Sequence, residues 1–337
     1  MKIHARALDL PLSRPFTIAR GSKLTASNIL VEVEHEGLVG RGEGAPNARY
    51  GQSQESALDA LASFSPPEEL SPYYLEEVMG RFESHHPQQS SAQCALEAAL
   101  FDWVGQARKL PLCRLLAIDP GQAPPSSFTI SIDEPEFLRE RAKEARDWPI
   151  LKLKLGGGPK DETAVESLRK WSERPFRVDV NEAWSEEEAR EKLPWLEKMG
   201  CELVEQPLPA GQHDAIRRLR EASSLPLVAD EDAASLNAIS ELGGVYDGIN
   251  VKLMKAGGLR RAVAMIHAAR GLGLEVMLGC FVESSLGIAA ASHLAPLARW
   301  ADLDGAALLA EDPFVPSVVE QGRISIPQGF GLGVTPR

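Results

Sequence analysis

Five residues that could do chemistry recur at nearly even intervals in the second half of this 337-residue chain. They are Lys154, Asp179, Glu205, Asp230 and Lys252, separated by steps of 25, 26, 25 and 22 residues. Each one lies in or directly after a short apolar run. A strand, a loop, a helix and a second loop together consume about 25 residues, so this spacing predicts successive βα units.

Three of the five residues are carboxylates that could hold a metal ion. In a (β/α)8 barrel the carboxyl ends of neighbouring strands converge on one site, which would bring Asp179, Glu205 and Asp230 together. Oxygen ligands of this kind suit Mg²⁺, with Mn²⁺ as a substitute. A single Asp at a strand end is often a helix N-cap instead, but three at matching positions favour ligation. The pattern therefore predicts one Mg²⁺ per site.

Lysines flank the carboxylates on both sides. Lys152 and Lys154 share one face of their strand, and two inward lysines are costly unless they have a polar purpose. The alternative, an exposed edge strand, conflicts with their position between two βα units. A neighbouring ammonium lowers a lysine pKa and makes it a usable base, so Lys152 could activate Lys154. With Lys252 on the opposite side, a substrate carbon would have a base at each face, as a racemase or epimerase requires.

The hydrophobic pattern divides the chain into two regions. Residues 29–43 alternate apolar and polar side chains around Gly37, as in an antiparallel hairpin, and helical stretches follow near 53–64 and 90–108. This pattern predicts an α+β capping domain over 1–115, to which the tail 311–337 returns. From Phe128 onwards strands and helices alternate, which predicts an α/β fold, a (β/α)8-type (modified TIM) barrel over 116–310. The eight strand candidates begin at Phe128, Ile150, Phe176, Glu202, Leu225, Gly248, Leu274 and Gly305.

Composition narrows the class of protein. The net charge is -12 and no block of Lys and Arg occurs, which argues against a nucleic-acid partner. No apolar run reaches the length of a membrane span, and the N-terminus has no secretory apolar segment. The four cysteines lack any CxxC pairing, as expected for reduced thiols. These features predict a cytoplasmic protein without membrane contact, and homo-oligomerisation stays open.

Several short motifs, taken together, resemble the enolase superfamily, muconate-lactonizing-enzyme subgroup. They are KLKLG at 152–156, DVN at 179–181, EQP at 205–207, ADE at 229–231 and NVKLMKAGG at 250–258. The resemblance covers essentially the whole chain. The segments PFTIARGS, PNARYGQS and ADLDG are most similar to those of L-Ala-D/L-Glu and related dipeptide epimerases. Sites of this superfamily pair a Lys or His base with Mg²⁺ that stabilises an ene-diolate.

The resemblance implies a role for each member of these motifs. Lys154 and Lys252 would be the two acid/base catalysts. Lys152 would tune Lys154 and help to neutralise the substrate carboxylate, whereas Lys255, at odd spacing from Lys252, is expected on the other face without a catalytic role. The carboxylates of the evenly spaced set would bind Mg²⁺. The residues expected to support these ligands are Asn181, Gln206 and Glu231.

The resemblance also implies a site for the substrate. Asp302 and Asp304, expected at the start of the last strand, match an acidic pair that in dipeptide epimerases receives the substrate's α-ammonium group. A turn with a capping Asp is the alternative. Arg20 and Arg49 lie in segments that form loops over the barrel mouth. Arg20 could bind the side-chain carboxylate of a Glu residue, or it could face solvent.

The resulting prediction is an isomerase. It would be a Mg²⁺-dependent dipeptide epimerase that moves a proton at the α-carbon of the C-terminal residue, with L-Ala-D/L-Glu of murein peptide metabolism as the best substrate. The alternatives within the subgroup are o-succinylbenzoate synthase, N-succinylamino acid racemase and muconate cycloisomerase. Two further classes stay open, a Schiff-base aldolase that uses Lys154 or Lys252 and a barrel that only binds a ligand.

Overall fold

A three-stranded antiparallel sheet begins the chain. The computed structural model describes residues 1–133 and 135–337. The sheet consists of β1 (Lys2–Ile18), β2 (Gly21–His35) and β3 (Leu38–Gly44), paired in that order. The β2–β3 pairing confirms the predicted hairpin. β1 was not predicted, although Leu8, Leu10 and Leu12 are buried at the spacing of two that is typical of a strand.

Four helices follow the sheet, and the longest packs directly on it. They are α1 (Gln54–Ala62), α2 (Leu75–His85), α3 (Ser90–Arg108) and α4 (Leu112–Leu115). α3 approaches β3 so closely that a Cβ at Gly40 or Gly42 would overlap the backbone of Ala99 or Ala95. The glycines of the GRG segment are therefore required by this helix–sheet contact.

Eight parallel strands form the second sheet within the described residues. They are β4 (Ser127–Ile130), β5 (Ile150–Lys154), β6 (Phe176–Asp179), β7 (Cys201–Glu205), β8 (Leu227–Ala229), β9 (Gly248–Lys252), β10 (Glu275–Gly279) and β11 (Trp300–Asp302). Neighbours along the chain are neighbours in the sheet. A bridge between Ser126 and Ala301 joins the first strand to the last. The sheet is thus nearly closed, and the predicted barrel architecture is confirmed.

Helices alternate with these strands. They are α5 (Pro135–Glu144), α6 (Lys160–Trp171), α7 (Glu186–Lys198), α8 (His213–Ala222), α9 (Leu236–Ile239), α10 (Leu253–Ala256), α11 (Leu259–Gly271) and α12 (Ser285–Ser292). α7 shows how local sequence starts such a helix. Ser185 accepts a hydrogen bond from the backbone N–H of Glu188, whose side chain accepts one from Ser185 N–H in return.

The predicted start of the last strand was wrong. β11 covers Trp300–Asp302, whereas Gly305–Leu308 form a 3-10 turn in which Ala307 N–H donates to Asp304 C=O. The Ala-rich segment has little preference for a strand, and a strand of three residues after Pro296 gives almost no periodic signal. Asp302 therefore ends the last strand, and Asp304 follows it, rather than both standing at its start.

The C-terminal tail contacts both regions. It contains short strands β12 (Phe314–Val315), β13 (Val319–Glu320), β14 (Arg323–Ile324) and β15 (Thr335–Pro336). Leu332 N–H donates to Asp102 of α3 over 2.8 Å, and Ser126 N–H donates to Gly322 C=O over 2.8 Å. The division into 1–115 with 311–337 and 116–310 stays a prediction. No helix among the described residues is long and apolar enough to cross a membrane.

Candidate active site

Strand register places the site residues in rows at the carboxyl end of the barrel. Lys154 of β5 lies opposite Asp179 of β6, which lies opposite Glu205 of β7. On the other side, Lys252 of β9 and Asp302 of β11 align with Gly279 between them. The structure therefore brings the evenly spaced set together, because parallel strands of matched length end at one edge.

Three carboxylates form a compact trio at the centre of this edge. Ligand oxygens of Asp179, Glu205 and Asp230 all lie within 4.8 Å of one another, and all three side chains are buried. Asn250 holds one oxygen of Glu205 at 2.8 Å. Buried, closely spaced carboxylate oxygens match the hard ligand set of a divalent cation such as Mg²⁺. The residues present thus fit a metal ion.

Each of the two predicted acid/base lysines contacts a different end of the trio. Lys154 Nζ lies 2.5 Å from Asp179 Oδ2, and Lys252 Nζ lies 2.8 Å from Asp230 Oδ2. The strand order puts the lysines on β5 and β9, which flank the three acidic positions. The ring of Phe281 lies 5.2 Å from Lys252 Nζ. Two buried lysine side chains therefore contact the trio from the strands on either side of it.

Lys152 joins the metal trio to the acidic pair at the other side of the barrel. Its Nζ lies 2.6 Å from Glu205 Oε2, 2.7 Å from Asp302 Oδ2 and 3.1 Å from Asp179 Oδ2. Burial disfavours its charge, but these carboxylates outweigh burial and raise the pKa of Lys152 well above its ordinary value. Lys152 thus contacts both the trio and Asp302 inside the barrel.

The carboxylates of the trio divide into low and high pKa values. Burial alone would raise the pKa of Asp179, but Lys154 and Lys152 outweigh it and hold that pKa below its usual range. Glu205 behaves differently, because burial and the charge of Asp179 raise its pKa to about 7. Burial would lower the pKa of Lys252, yet Asp230 and Glu205 raise it. Opposite charges therefore set the direction of the pKa shift at Asp179 and Lys252, whereas burial and a like charge set it at Glu205.

Lys255 contradicts the expectation that it would lie on the other face. Its Nζ lies 2.5 Å from Asp230 Oδ1 and 2.7 Å from Asp230 C=O, and it also donates to Asn250 C=O at 3.0 Å. Strand parity does not extend to this position because β9 ends at Lys252 and α10 begins at Leu253. Lys255 therefore orients Asp230 through both its carboxylate and its carbonyl group. A prediction that a helix begins directly after Lys252 could have revealed this position of Lys255.

The three residues expected to support the ligands have different contacts. Asn181 N–H donates to Asp179 Oδ1 at 3.0 Å. Gln206 Oε1 accepts from Asp230 N–H at 2.9 Å, so it fixes the backbone of that residue rather than its carboxylate. The carboxylate of Glu231 lies beside the trio, 3.4 Å from Asn181 Nδ2. Burial and the charge of Asp230 raise the pKa of Glu231 to about 7.

The acidic pair Asp302 and Asp304 lies against the first barrel strand. Asp302 Oδ1 accepts from Ser127 Oγ at 2.7 Å, and Asp304 Oδ2 accepts from Thr129 N–H at 2.5 Å. Both side chains are buried. Burial, followed by the charge of Asp302, raises the pKa of Asp304 to about 7. The pair forms an acidic cluster inside the barrel, and Lys152 neutralises Asp302.

Loops of the N-terminal region contribute two arginines and a tyrosine at the mouth. Arg20 Nη2 lies 2.8 Å from Glu231 Oε1, so its guanidinium reaches the site instead of facing bulk solvent. Arg49 pairs with Glu182 at 2.9 Å. Tyr50 was not predicted. Its ring lies 6.3 Å from that of Phe281, and burial followed by the charge of Asp230 raises its pKa.

This nearly closed barrel, with its metal trio and paired lysines, defines a class of protein that comparisons also identify. Residues 137–337 match the family model described as enolase C-terminal domain-like. Residues 2–117 match the mandelate racemase / muconate lactonizing enzyme N-terminal domain. The chain therefore belongs to the mandelate racemase / muconate-lactonizing-enzyme family of the enolase superfamily, and the predicted resemblance is confirmed.

Three similar proteins narrow the comparison. The L-Ala-D/L-Glu epimerase of Bacteroides thetaiotaomicron is 35% identical over 336 residues, with 99% of this chain and 88% of the relative covered. A dipeptide epimerase from Cytophaga hutchinsonii, solved with Mg and D-Ala-L-Val, has a TM-score of 0.93 at 26% identity and coverage of 99% and 95%. The N-succinyl Arg/Lys racemase of Bacillus cereus has a TM-score of 0.92 at 28% identity, with coverage of 99% and 95%.

Proposed function

We propose that this chain is a Mg²⁺-dependent dipeptide epimerase, an isomerase that inverts the α-carbon of the C-terminal residue. The observation that carries the proposal is the position of Lys154 and Lys252. They are buried on the two strands that flank three metal-ligating carboxylates. Inversion requires a proton donor and a proton acceptor on opposite faces of one carbon. A barrel that only binds a ligand would not need this arrangement.

Asp179, Glu205 and Asp230 would hold the metal ion. Bound there, Mg²⁺ would act as a Lewis acid on the substrate carboxylate and would offset the negative charge that raises the pKa of Lys252. Lys255 and Gln206 would keep Asp230 in position through its carboxylate and its backbone N–H. These supporting contacts are the kind that orient metal ligands and tune their affinity.

The proton transfer itself would be carried out by side chains of this chain. Lys154 would take the α-proton from one face, and Lys252 would deliver a proton to the other face; the roles reverse for the opposite epimer. Lys152 would stay charged and neutralise the substrate carboxylate, in keeping with its raised pKa. A fixed positive charge at that point stabilises the negative charge that develops when the α-proton leaves.

The acidic pair and Arg20 would select the substrate. Asp302 and Asp304 would receive the free α-ammonium group of the N-terminal residue, and Arg20 would bind a side-chain carboxylate at the mouth. A substrate with both groups is a dipeptide that ends in Glu, and L-Ala-D/L-Glu is the best candidate. The name of the 35% identical Bacteroides relative supports this choice. The chain would act in the cytoplasm, where its unpaired cysteines would stay reduced, and its net charge of -12 disfavours a nucleic-acid partner.

The N-succinylamino acid racemases are the second candidate class. The structural similarity to the N-succinyl Arg/Lys racemase of Bacillus cereus supports this alternative. A succinylated amino acid carries no free ammonium group. The buried acidic pair would therefore gain no ammonium partner from such a substrate and would repel its succinyl carboxylate. This difference ranks dipeptides first.

A dipeptide library tests the proposal. The chain is incubated with Mg²⁺ in D₂O, and α-deuterium incorporation is read by mass spectrometry for dipeptides and for N-succinylamino acids. We expect exchange in dipeptides with a C-terminal Glu, loss of exchange with EDTA, and recovery when Mg²⁺ is restored. Exchange confined to succinylated compounds would contradict the substrate. Activity that survives EDTA and is trapped by borohydride would indicate a Schiff-base lysine instead.

A further inference from the structure

Glu182 lies between two arginines of the N-terminal loops, at the mouth of the barrel. Its Oε1 accepts from Arg49 Nη2 at 2.9 Å and from Ala210 N–H at 3.0 Å. Its Oε2 accepts from Arg49 Nε at 3.0 Å and from Arg20 Nη1 at 3.2 Å. The side chain of Glu182 is only 14% exposed. One carboxylate thus connects both loops to the strand end after β6.

The backbone conformation at Glu182 is typical of residues at functional sites. Its φ is 72°, in the left-handed region that non-glycine residues seldom occupy. Asn181, beside it, has φ 49°. Conformations of this kind cost free energy and cluster at functional sites. Directly after a metal-ligating strand, they direct the Glu182 carboxylate toward the arginines.

Arg20 is shared between this carboxylate and the site. One side of its guanidinium lies 3.2 Å from Glu182, and the other lies 2.8 Å from Glu231, next to the metal trio. An acidic substrate side chain that binds Arg20 therefore competes with carboxylates that already contact its guanidinium. Arg49 makes this exchange feasible, because its two bonds keep Glu182 paired when Arg20 turns away.

We propose that Glu182 is a specificity-determining residue that competes with the substrate's acidic side chain for Arg20. Arg49 sets the strength of that competition by sharing the Glu182 carboxylate. This inference rests on the proposed function and deepens it, since it states how readily acidic dipeptides are accepted over neutral ones. Glu182 makes no contact with the reacting carbon in this scheme.

Two substitutions are expected to act in opposite directions. Glu182→Gln removes the competing charge and frees Arg20, so selectivity for an acidic side chain rises. Arg49→Gln leaves Arg20 as the only guanidinium partner of Glu182, so that selectivity falls. Partly exposed ion pairs of this kind contribute up to about 1 kcal/mol, so we expect changes of about three- to fivefold. If the substitutions only loosened the loops, the selectivity for an acidic side chain would change in the same direction in both variants.

The measured quantity is the ratio of kcat/KM for L-Ala-L-Glu to that for L-Ala-L-Gln, a pair of equal shape that differs by one charge. The change should lie in KM, because the contact is made in the ground state as well. Glu186→Gln is the matched control. Glu186 also accepts from two arginines, Arg190 and Arg218, but on the outer helices. Its substitution should leave the ratio unchanged.

A double variant and a structural readout complete the test. In an Arg20→Gln background, Glu182→Gln should no longer change the ratio. Amide hydrogen exchange over residues 18–24 should be faster in Glu182→Gln than in Glu186→Gln, whatever the substrate. The proposed competition would be overturned if Glu182→Gln changed kcat/KM by the same factor for both dipeptides, or if it left amide hydrogen exchange over residues 18–24 unchanged. If the unaltered chain epimerised no dipeptide while exchange still rose, the proposed function would fail and the loop contact would stand.

Discussion

At the scale of single residues, burial and the neighbouring lysines have opposite effects on the pKa of Asp179 and Asp230, whereas burial and the charge of Asp179 both raise the pKa of Glu205. Four buried lysines, at positions 152, 154, 252 and 255, contact its carboxylates. Removing one partner of a buried ion pair leaves an uncompensated charge, which is strongly destabilising. The lysines are therefore expected to contribute to the stability of the fold as well as to the chemistry of the site.

Lys255→Met is expected to weaken metal binding. Lys255 holds both the carboxylate and the carbonyl of Asp230, and loss of such a supporting contact typically lowers metal affinity about 10- to 100-fold. Titration of activity with Mg²⁺, together with direct Mn²⁺ binding by electron paramagnetic resonance, measures the effect. Lys192→Met is the control, since Lys192 is similarly buried but pairs with Asp161. Equal losses in both variants would argue against a specific role.

Residue types and spacing were sufficient to predict the evenly spaced set, because each member ends a strand of one repeating unit. Lys255 was missed for a physical reason: strand parity fails where a helix begins at the next residue. The partners of Arg20 and Arg49 could not be predicted either. They depend on contacts between segments about 130 to 210 residues apart, such as Arg49–Glu182 and Arg20–Glu231, and no local pattern encodes these.

At the scale of elements, one buried carboxylate joins the hairpin to the barrel. Glu43 of β3 accepts from Ser284 N–H at 3.0 Å, Gly287 N–H at 3.2 Å and Asn28 Nδ2 at 2.7 Å. The two backbone N–H groups belong to the start of α12. The positive end of a helix dipole lies at its N-terminus, so a carboxylate is favoured at this position. Glu43 thereby fixes the β10–α12 loop that carries Phe281.

Glu43→Ala is expected to lower the free energy of unfolding by about 3 kcal/mol, because it leaves several buried donors without an acceptor. Glu43→Gln should also destabilise, since its amide group would direct N–H groups toward other donors. Urea unfolding followed by circular dichroism measures both. Glu32→Gln is the control on the same sheet, where the pair with Arg41 is partly exposed. A loss no larger than in this control would contradict the structural role of Glu43.

The sequence predicted elements well where a period was long and regular. α1 and α3 begin and end within one or two residues of the helical stretches expected at 53–64 and 90–108. The last barrel strand was misplaced because three residues cannot display a period. β1 was missed because Pro11 and Arg14 interrupt its alternation, where the pairing register also shifts.

At the scale of the whole molecule, buried polar contacts hold the tail on the barrel and on α4. His293 at the end of α12 accepts from Cys113 N–H through Nδ1 at 3.3 Å, and Nε2 lies 3.4 Å from Leu332 C=O. Burial lowers the pKa of His293 to about 4 from 6.5. The folded protein therefore holds this imidazole neutral at a pH where the unfolded chain would protonate it.

The resulting pH dependence has a definite sign. Between pH 6.5 and about 4 the unfolded state binds more protons at His293, so its contribution to stability is fully present above pH 6.5 and is lost as pH falls toward 4. The shift corresponds to about 3 kcal/mol. Relative to the unaltered chain, His293→Gln should make the slope of the unfolding free energy against pH less positive by up to one proton over that range, as measured by urea unfolding at several pH values. A profile with the same slope as the unaltered chain would contradict a buried neutral imidazole.

The central claim, two lysines on opposite faces of one carbon, is tested most directly by proton exchange in D₂O with single lysine variants. Each epimer of Ala-Glu is incubated separately with Lys154→Met and with Lys252→Met in the presence of Mg²⁺, and the α-proton is followed by NMR. Both variants should lose epimerisation by at least about 10²-fold. Each should still exchange the α-proton of one epimer, and the two variants should exchange opposite epimers. Exchange of both epimers by either variant, or epimerisation that survives the loss of one lysine, would contradict the account.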